Sequence, residues 1–164
     1  MLRAEVLCMF SHGRFILIPV ISMKSSKEML YSILKTTQKD QIHIKSILAC
    51  TMRPSLRQIL ENQLQEYYTI ESEAYTVAAL RGWELPDYDP MQHLISNVRT
   101  RCKLSCGNPD KKIANMVIQC NTKEFINGLK NHENFGNMDL RISTLSQKLL
   151  DCETANILQM KRFL

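Results

Sequence analysis

Apolar and polar residues along this chain alternate with the period of an α-helix over four long stretches. The clearest is residues 54–81, where Leu56, Ile59, Leu60, Tyr67, Ile70, Ala74, Val77 and Ala78 recur at spacings of three and four. That spacing lines one face of a helix. Pro54 suits its first turn and Gly82 the position just past its last, since an N–H is dispensable at the start and glycine enters the left-handed region freely. At 1.5 Å per residue such a helix is roughly 40 Å long. A rod of that length needs partners of equal length, which predicts a bundle of long helices.

The other stretches supply those partners. Ser25 or Ser26 caps a first helix, with Glu28 near its positive end and an apolar stripe of Leu30, Ile33, Leu34, Ile44, Ile47 and Leu48. It runs to about residue 51, and only Met52 and Arg53 separate it from Pro54. So short a link makes the first two helices an antiparallel hairpin. After Gly82 comes the turn-rich run WELPDYDP, with Trp83 over the bundle end, then a shorter helix at about 91–104. Asn108 caps a third long helix that starts at Pro109 and uses Ala114, Val117, Ile118, Phe125 and Leu129. A loop at 134–137 follows, and Asp139 opens a last helix on Ile142, Leu145, Leu149, Cys152, Met160 and Phe163. The connection over 83–108 is long enough to cross the bundle, so the second and third long helices can run parallel.

Residues 1–22 read differently. The apolar run 15–21 is short and holds Pro19, so it does not span a bilayer. Arg3 and Arg14 bracket an apolar patch as in a signal peptide, yet no small-x-small cleavage site follows. Met23 stands directly before the first helix start. The expectation is a flexible or non-native extension over 1–22 and a helical bundle domain over 23–164.

Composition narrows the function classes. With 45% apolar and 23% charged residues the chain is globular, and five Gly with five Pro disfavour a many-turned β-sandwich. The net charge of +5 is spread out, so nucleic acid is not an expected partner. Cysteines at 8, 50, 102, 106, 120 and 152 form no paired framework, which reads as reduced thiols in a cytoplasm. Cys102 and Cys106, with His93 upstream, fit buried small hydrophobes better than a metal site. There is no phosphate or dinucleotide loop, no G-x-S-x-G and no C-x-x-C. The four histidines, at 12, 43, 93 and 132, are scattered, so no catalytic residue is assigned.

One pattern stands out on a 100° wheel. Near the middle of each apolar stripe sits a polar residue: Thr37 and Gln41, then Gln63, then Asn121, then Glu153 with Asn156. A turn near residue 52 sets Gln41 opposite Gln63. Burying such groups is costly unless each finds a hydrogen-bond partner, so their common depth predicts one shared network.

Helix lengths, hairpin, long crossover and mid-bundle polar layer together resemble the ferritin-like superfamily. The stretch QLQEYYTIESEAYTVAALRGWELP is similar to that of small clostridial-type ferritin-like proteins. The resemblance implies an all-α, ferritin-like four-helix bundle with a short extra helix in the crossover between the second and third long helices. Di-iron members take one Glu from each of two helices and a Glu-x-x-His from each of the other two. The matching positions here are Gln41 and Asn121, then Gln63-x-x-Glu66 and Glu153-x-x-Asn156. Five of those six positions depart from the pattern, and amides are poor ligands for iron or manganese.

Glu66, Glu71 and Glu153 are the metal candidates that survive. The reading is therefore a bundle without a standard di-iron site or cofactor, leaning away from catalysis, that binds or serves as a structural or interaction protein. Its amide layer fixes helix register, and a homodimer through leftover apolar faces is the expected partner, with no membrane association. The alternative is an iron- or manganese-binding oxidoreductase or storage relative with atypical ligands. If Glu153 is buried without a cation, desolvation raises its pKa and a protonated carboxyl donates within the layer.

Overall fold

The computed structural model describes residues 6–11, 14–19, 25–85, 108–133 and 139–164. The four helical periodicities become α1 (Ser26–Leu48), α2 (Pro54–Leu80), α3 (Pro109–Glu133) and α4 (Leu140–Met160), with one 3-10 turn at Lys161–Phe163. Each boundary has a local cause. Ser25 and Glu28 form a reciprocal capping box at the start of α1. Gly82, at φ +62°, ends α2 with its own N–H on the Ala79 carbonyl and the Trp83 N–H on that of Ala78. That pair of bonds is a Schellman cap, which needs a left-handed residue at Gly82. Asn108 accepts from the Asp110 N–H at the start of α3, and Asp139 from the Arg141 N–H at the start of α4.

An antiparallel hairpin precedes the helices: β1 (Val6–Ser11) and β2 (Arg14–Pro19), with Phe10 opposite Phe15. The strand pair lies within the stretch read as a flexible or non-native extension over 1–22, and the bundle that follows it is all-α. The signal was present as two apolar runs either side of His12-Gly13, a two-residue connection of the kind hairpins use. The helix expected at 91–104, with His93, Cys102 and Cys106, and the loop at 134–137 lie outside the described residues.

Side-chain pairs give the helix directions. From α1 to α3 the partners run Ser32–Asn131, Lys39–Glu124 and His43–Cys120, so these helices are antiparallel. From α2 to α4 they run Gln63–Gln159, Tyr67–Glu153 and Glu73–Lys148, again antiparallel. Within the first hairpin, Gln38 meets Glu71 and Tyr75, while Arg57 reaches back to the Leu48 carbonyl. Helices α2 and α3 therefore both oppose α1 and run parallel to one another.

The core is the predicted stripes. Every residue of the α2 stripe is buried, as are Leu30, Ile33, Leu34, Ile44 and Ile47 of α1 and all six stripe residues of α4. Helix α3 departs from expectation. Ile113, Ala114 and Val117 are buried, but Leu129 is 40% exposed and the inward face continues through Asn121 and Glu124. Farther along that helix a methyl group on Gly128 would lie 2.7 Å from Leu150 Cδ2. Such overpacking typically costs about 1–3 kcal/mol, against a helix-propensity gain of up to ~1 kcal/mol. Gly128→Ala is expected to destabilise the bundle by about 1 kcal/mol in chemical denaturation. A net gain would mean that Leu150 moves aside freely. Among the described residues, no helix is long and apolar enough to cross a membrane.

Candidate functional site

The polar residues of the stripes are all buried, yet they do not form one network. Thr37 turns its hydroxyl back onto the Ile33 and Leu34 carbonyls of its own helix. Gln41 donates to Glu71 at 2.6 Å, and Gln63 donates to Gln159 at 3.1 Å. The remaining three, Asn121, Glu153 and Asn156, converge on a residue that periodicity marks only as core. That residue is Tyr67, fully buried in the middle of α2. Its hydroxyl donates toward Glu153 Oε1 at 3.0 Å and Asn121 Oδ1 at 3.3 Å, and accepts from Asn156 Nδ2 at 3.1 Å.

The fourth helix to enter this centre is α1, and the residue it sends is Asp40, 3% exposed. The wheel pointed to Gln41, one position on. The Asp40 carboxyl and that of Glu153 act on one another electrostatically. Burial raises both carboxyls, with Glu124 adding to Asp40 and Asp40 adding to Glu153. Asp40 Oδ2 and Glu153 Oε2 have no donor among the described residues. Burial thus opposes the charged form of both carboxyls.

Titratable groups surround this centre in pairs. Glu124 of α3 is buried and ion-paired with Lys39 of α1. Desolvation alone would lower the Lys39 ammonium, but Glu124 outweighs it and the net shift is upward. His43, 8% exposed, places Nε2 at 3.6 Å from Cys120 Sγ. Burial, helped by Lys39, pushes its imidazole down to about 4, so it is neutral at pH 7. Burial and Asp40 push the Cys120 thiol up to about 11. A neutral imidazole beside a protonated thiol makes no ion pair, so this contact lacks the activation that a cysteine nucleophile requires. Cys152 is likewise raised, by burial and then by Glu66.

The three metal candidates are not brought together. Glu66 is exposed and accepts from the Cys152 thiol at 3.5 Å. Glu71 is taken up by the amides of Gln38 and Gln41. Only Glu153 stands at the centre, where its oxygens face Tyr67 and Asp40. Among the described residues no three His, Cys, Asp or Glu side chains group as metal ligands would. Iron or manganese wants several anionic or imidazole donors. The layer offers instead a phenol, two amides and two carboxyls whose charged forms burial opposes, a poor set for such an ion.

Surface grooves run along the helix seams among the described residues. One, of about 310 Å³ between α1 and α3, is lined by Ser32, Lys35, Thr36, Lys39, Glu124 and Lys130, among others. Another, of about 420 Å³ between α2 and α4, is mainly apolar, with Val77 and Leu145 as floor and Leu80 and Leu140 as walls. No protein-family model matches this chain, and no curated protein or solved structure matches it.

Proposed function

We propose that this chain is a ferritin-like bundle that acts as a binding or structural protein, its interior a hydrogen-bonded lock and not a metal centre. The helix directions support the ferritin-like reading: α2 and α3 run parallel, an arrangement that needs a long crossover between them. The single observation that carries the functional reading is Tyr67. Its hydroxyl is hydrogen-bonded to Glu153, Asn121 and Asn156 at the meeting point of the helices. A cation between those helices has to displace it and break all three bonds. No group in the layer is left with an activated nucleophile or base, which supports a role without catalysis.

The partner assigned is a second copy of the chain, docking on the α2/α4 groove. Leu80 and Leu140 are 64% and 81% exposed there. The rim carries both signs, Glu73 against Lys148 and Arg141, so a two-fold related copy can present acid to base. The test has two arms. Protein from cells supplied with iron, manganese and zinc is expected to carry no stoichiometric metal. A full equivalent, lost on Glu153→Ala, overturns the reading in favour of an oxidase or storage protein with atypical ligands. In sedimentation, the chain is expected to run as a dimer and Leu140→Glu as a monomer. A monomeric parent at high concentration removes the second copy as partner.

A further inference from the structure

We propose that the groove between α1 and α3 is a binding site for a small, fully hydrophilic anion that carries phosphate groups. It goes beyond the reading above, since it needs neither a second copy of the chain nor a metal-free centre. Each helix contributes four lining residues, and none of them is apolar. On α1 they are Ser32, Lys35, Thr36 and Lys39, whose spacing of three and four places them on one face. On α3 they are Glu124, Asn127, Lys130 and Asn131. Most small-molecule sites are lined by hydrophobic and aromatic side chains and take ligands with an apolar body. A wholly polar lining selects the opposite kind of ligand.

Charge decides its sign. Among the lining residues Glu124 is the one acid, and it is already matched by Lys39. Lys35 and Lys130 remain, so three ammonium groups face one carboxylate and the groove is positive by two charges. The chain's net charge of +5 adds a field of the same sign. Ammonium groups suit phosphate oxygens as point charges, and hydroxyls and amides donate to the same oxygens.

The donors are graded with depth. Lys35, Asn127 and Lys130 are exposed at the rim, whereas Ser32, Thr36, Lys39 and Asn131 are half-buried below them. An anion thus meets charge first and neutral donors deeper, where partial exclusion of water strengthens each hydrogen bond. The floor is bridged rather than filled: Asn131 Nδ2 donates to Ser32 Oγ at 3.1 Å, and Lys39 pairs with Glu124. A hydroxyl that accepts still has its own proton to give, and an ammonium paired to one oxygen keeps two further N–H groups.

Size limits the ligand. The volume of about 310 Å³ is at the lower end for small-molecule sites. From Ser32 to Lys39 the lining runs roughly 10 Å along α1, room for two or three linked phosphates. Nucleic acid is less favoured, because the chain's positive charge is spread out and not drawn into a dense stripe. Since α1 belongs to the first hairpin and α3 to the second, a ligand held by both binds the folded bundle and not the unfolded chain.

Inorganic pyrophosphate is the probe, titrated into the full chain at about 0.15 M salt, where charges beyond roughly 8 Å are largely screened. Saturable binding of one equivalent is expected, with a melting temperature that climbs as pyrophosphate is added. Lys35→Glu and Lys130→Glu, both exposed, are each expected to weaken binding about tenfold or more. Lys161→Glu makes the same charge change in the 3-10 turn whose Phe163 packs under Arg53, at the other end of the bundle, and is expected to leave binding unchanged. Equal weakening by all three variants would reduce the effect to a general field and overturn the site, as would binding that never saturates. If the groove variants do not fold, the parent decides by NMR: the side-chain amide signals of Asn127 and Asn131 are expected to shift on titration, and signals that stay in place overturn the proposal. A single-stranded oligonucleotide that displaces pyrophosphate at lower concentration than pyrophosphate itself needs would overturn it in favour of nucleic acid.

Discussion

Tyr67→Phe is expected to lower the stability of the bundle by about 3 kcal/mol, although it deletes one oxygen atom and leaves the ring in place. The ring's own burial is unchanged, so the packing contribution cancels. What remains is the fate of three partners. The phenol satisfies Glu153 Oε1, Asn121 Oδ1 and Asn156 Nδ2, and a buried polar group that loses its partner costs about 1–3 kcal/mol. The three costs do not add fully, because Asn156 keeps a contact of 3.6 Å to Cys152 Sγ. A loss of that size lowers the melting temperature by roughly 10 °C in a domain of this length. A drop below about 0.5 kcal/mol in chemical denaturation would mean that the layer repacks and that Tyr67 is ordinary core.

The second large effect lies on the acid side, at His43. Its imidazole falls from the usual 6.5 to about 4 because it is buried and because Lys39 lies near. A depressed folded-state pKa contributes stability that is fully present above pH 6.5 and is lost as pH falls toward 4. With about 1.36 kcal/mol per pH unit, the loss between pH 7 and pH 4 is about 3 kcal/mol. The carboxyl pair titrates over part of the same range with the opposite sign. The clean measurement is therefore a difference: the parent against His43→Gln, which retains the pair and so cancels it. Relative to that variant, the parent is expected to lose its advantage steadily below pH 6.5. A constant difference across the range would place His43 in contact with water in the folded state.

The helices were legible because their causes are local. The α2 stripe, the serine cap of α1, the glycine after α2 and the aspartate before α4 each act within a turn or two of chain. That a polar layer exists was legible for the same reason, since its members interrupt apolar stripes at one depth. Its wiring was not. A wheel of 100° per residue does not separate Gln41 from Asp40 when helices curve and rotate about their axes. Both are buried on the inward side of α1, and the amide is the one that reaches Glu71 across the first hairpin. On α3 the same ambiguity favoured Phe125 and Leu129, whereas the packed face runs through Asn121 and Glu124. Tyr67 scored as apolar, so its hydroxyl, the hub of the centre, gave no separate signal. The likeness to di-iron bundles directed attention to Glu66, which instead faces solvent beside Cys152.

The parallel course of α2 and α3 has a consequence for how the chain finds its fold. Contacts within α1–α2 and within α3–α4 join residues near in sequence, so each hairpin can zip quickly from its own short connection. Joining them is a separate, slower search, because Tyr67 and Glu153 are 86 positions apart. During that search a purely apolar interface would accept a slipped register that still buries hydrocarbon against hydrocarbon. The centre does not, since a slipped dock strands a phenol, two carboxyls and two amides among hydrocarbon. The same few atoms that bond across the middle of the bundle make it an effective proofreader of assembly.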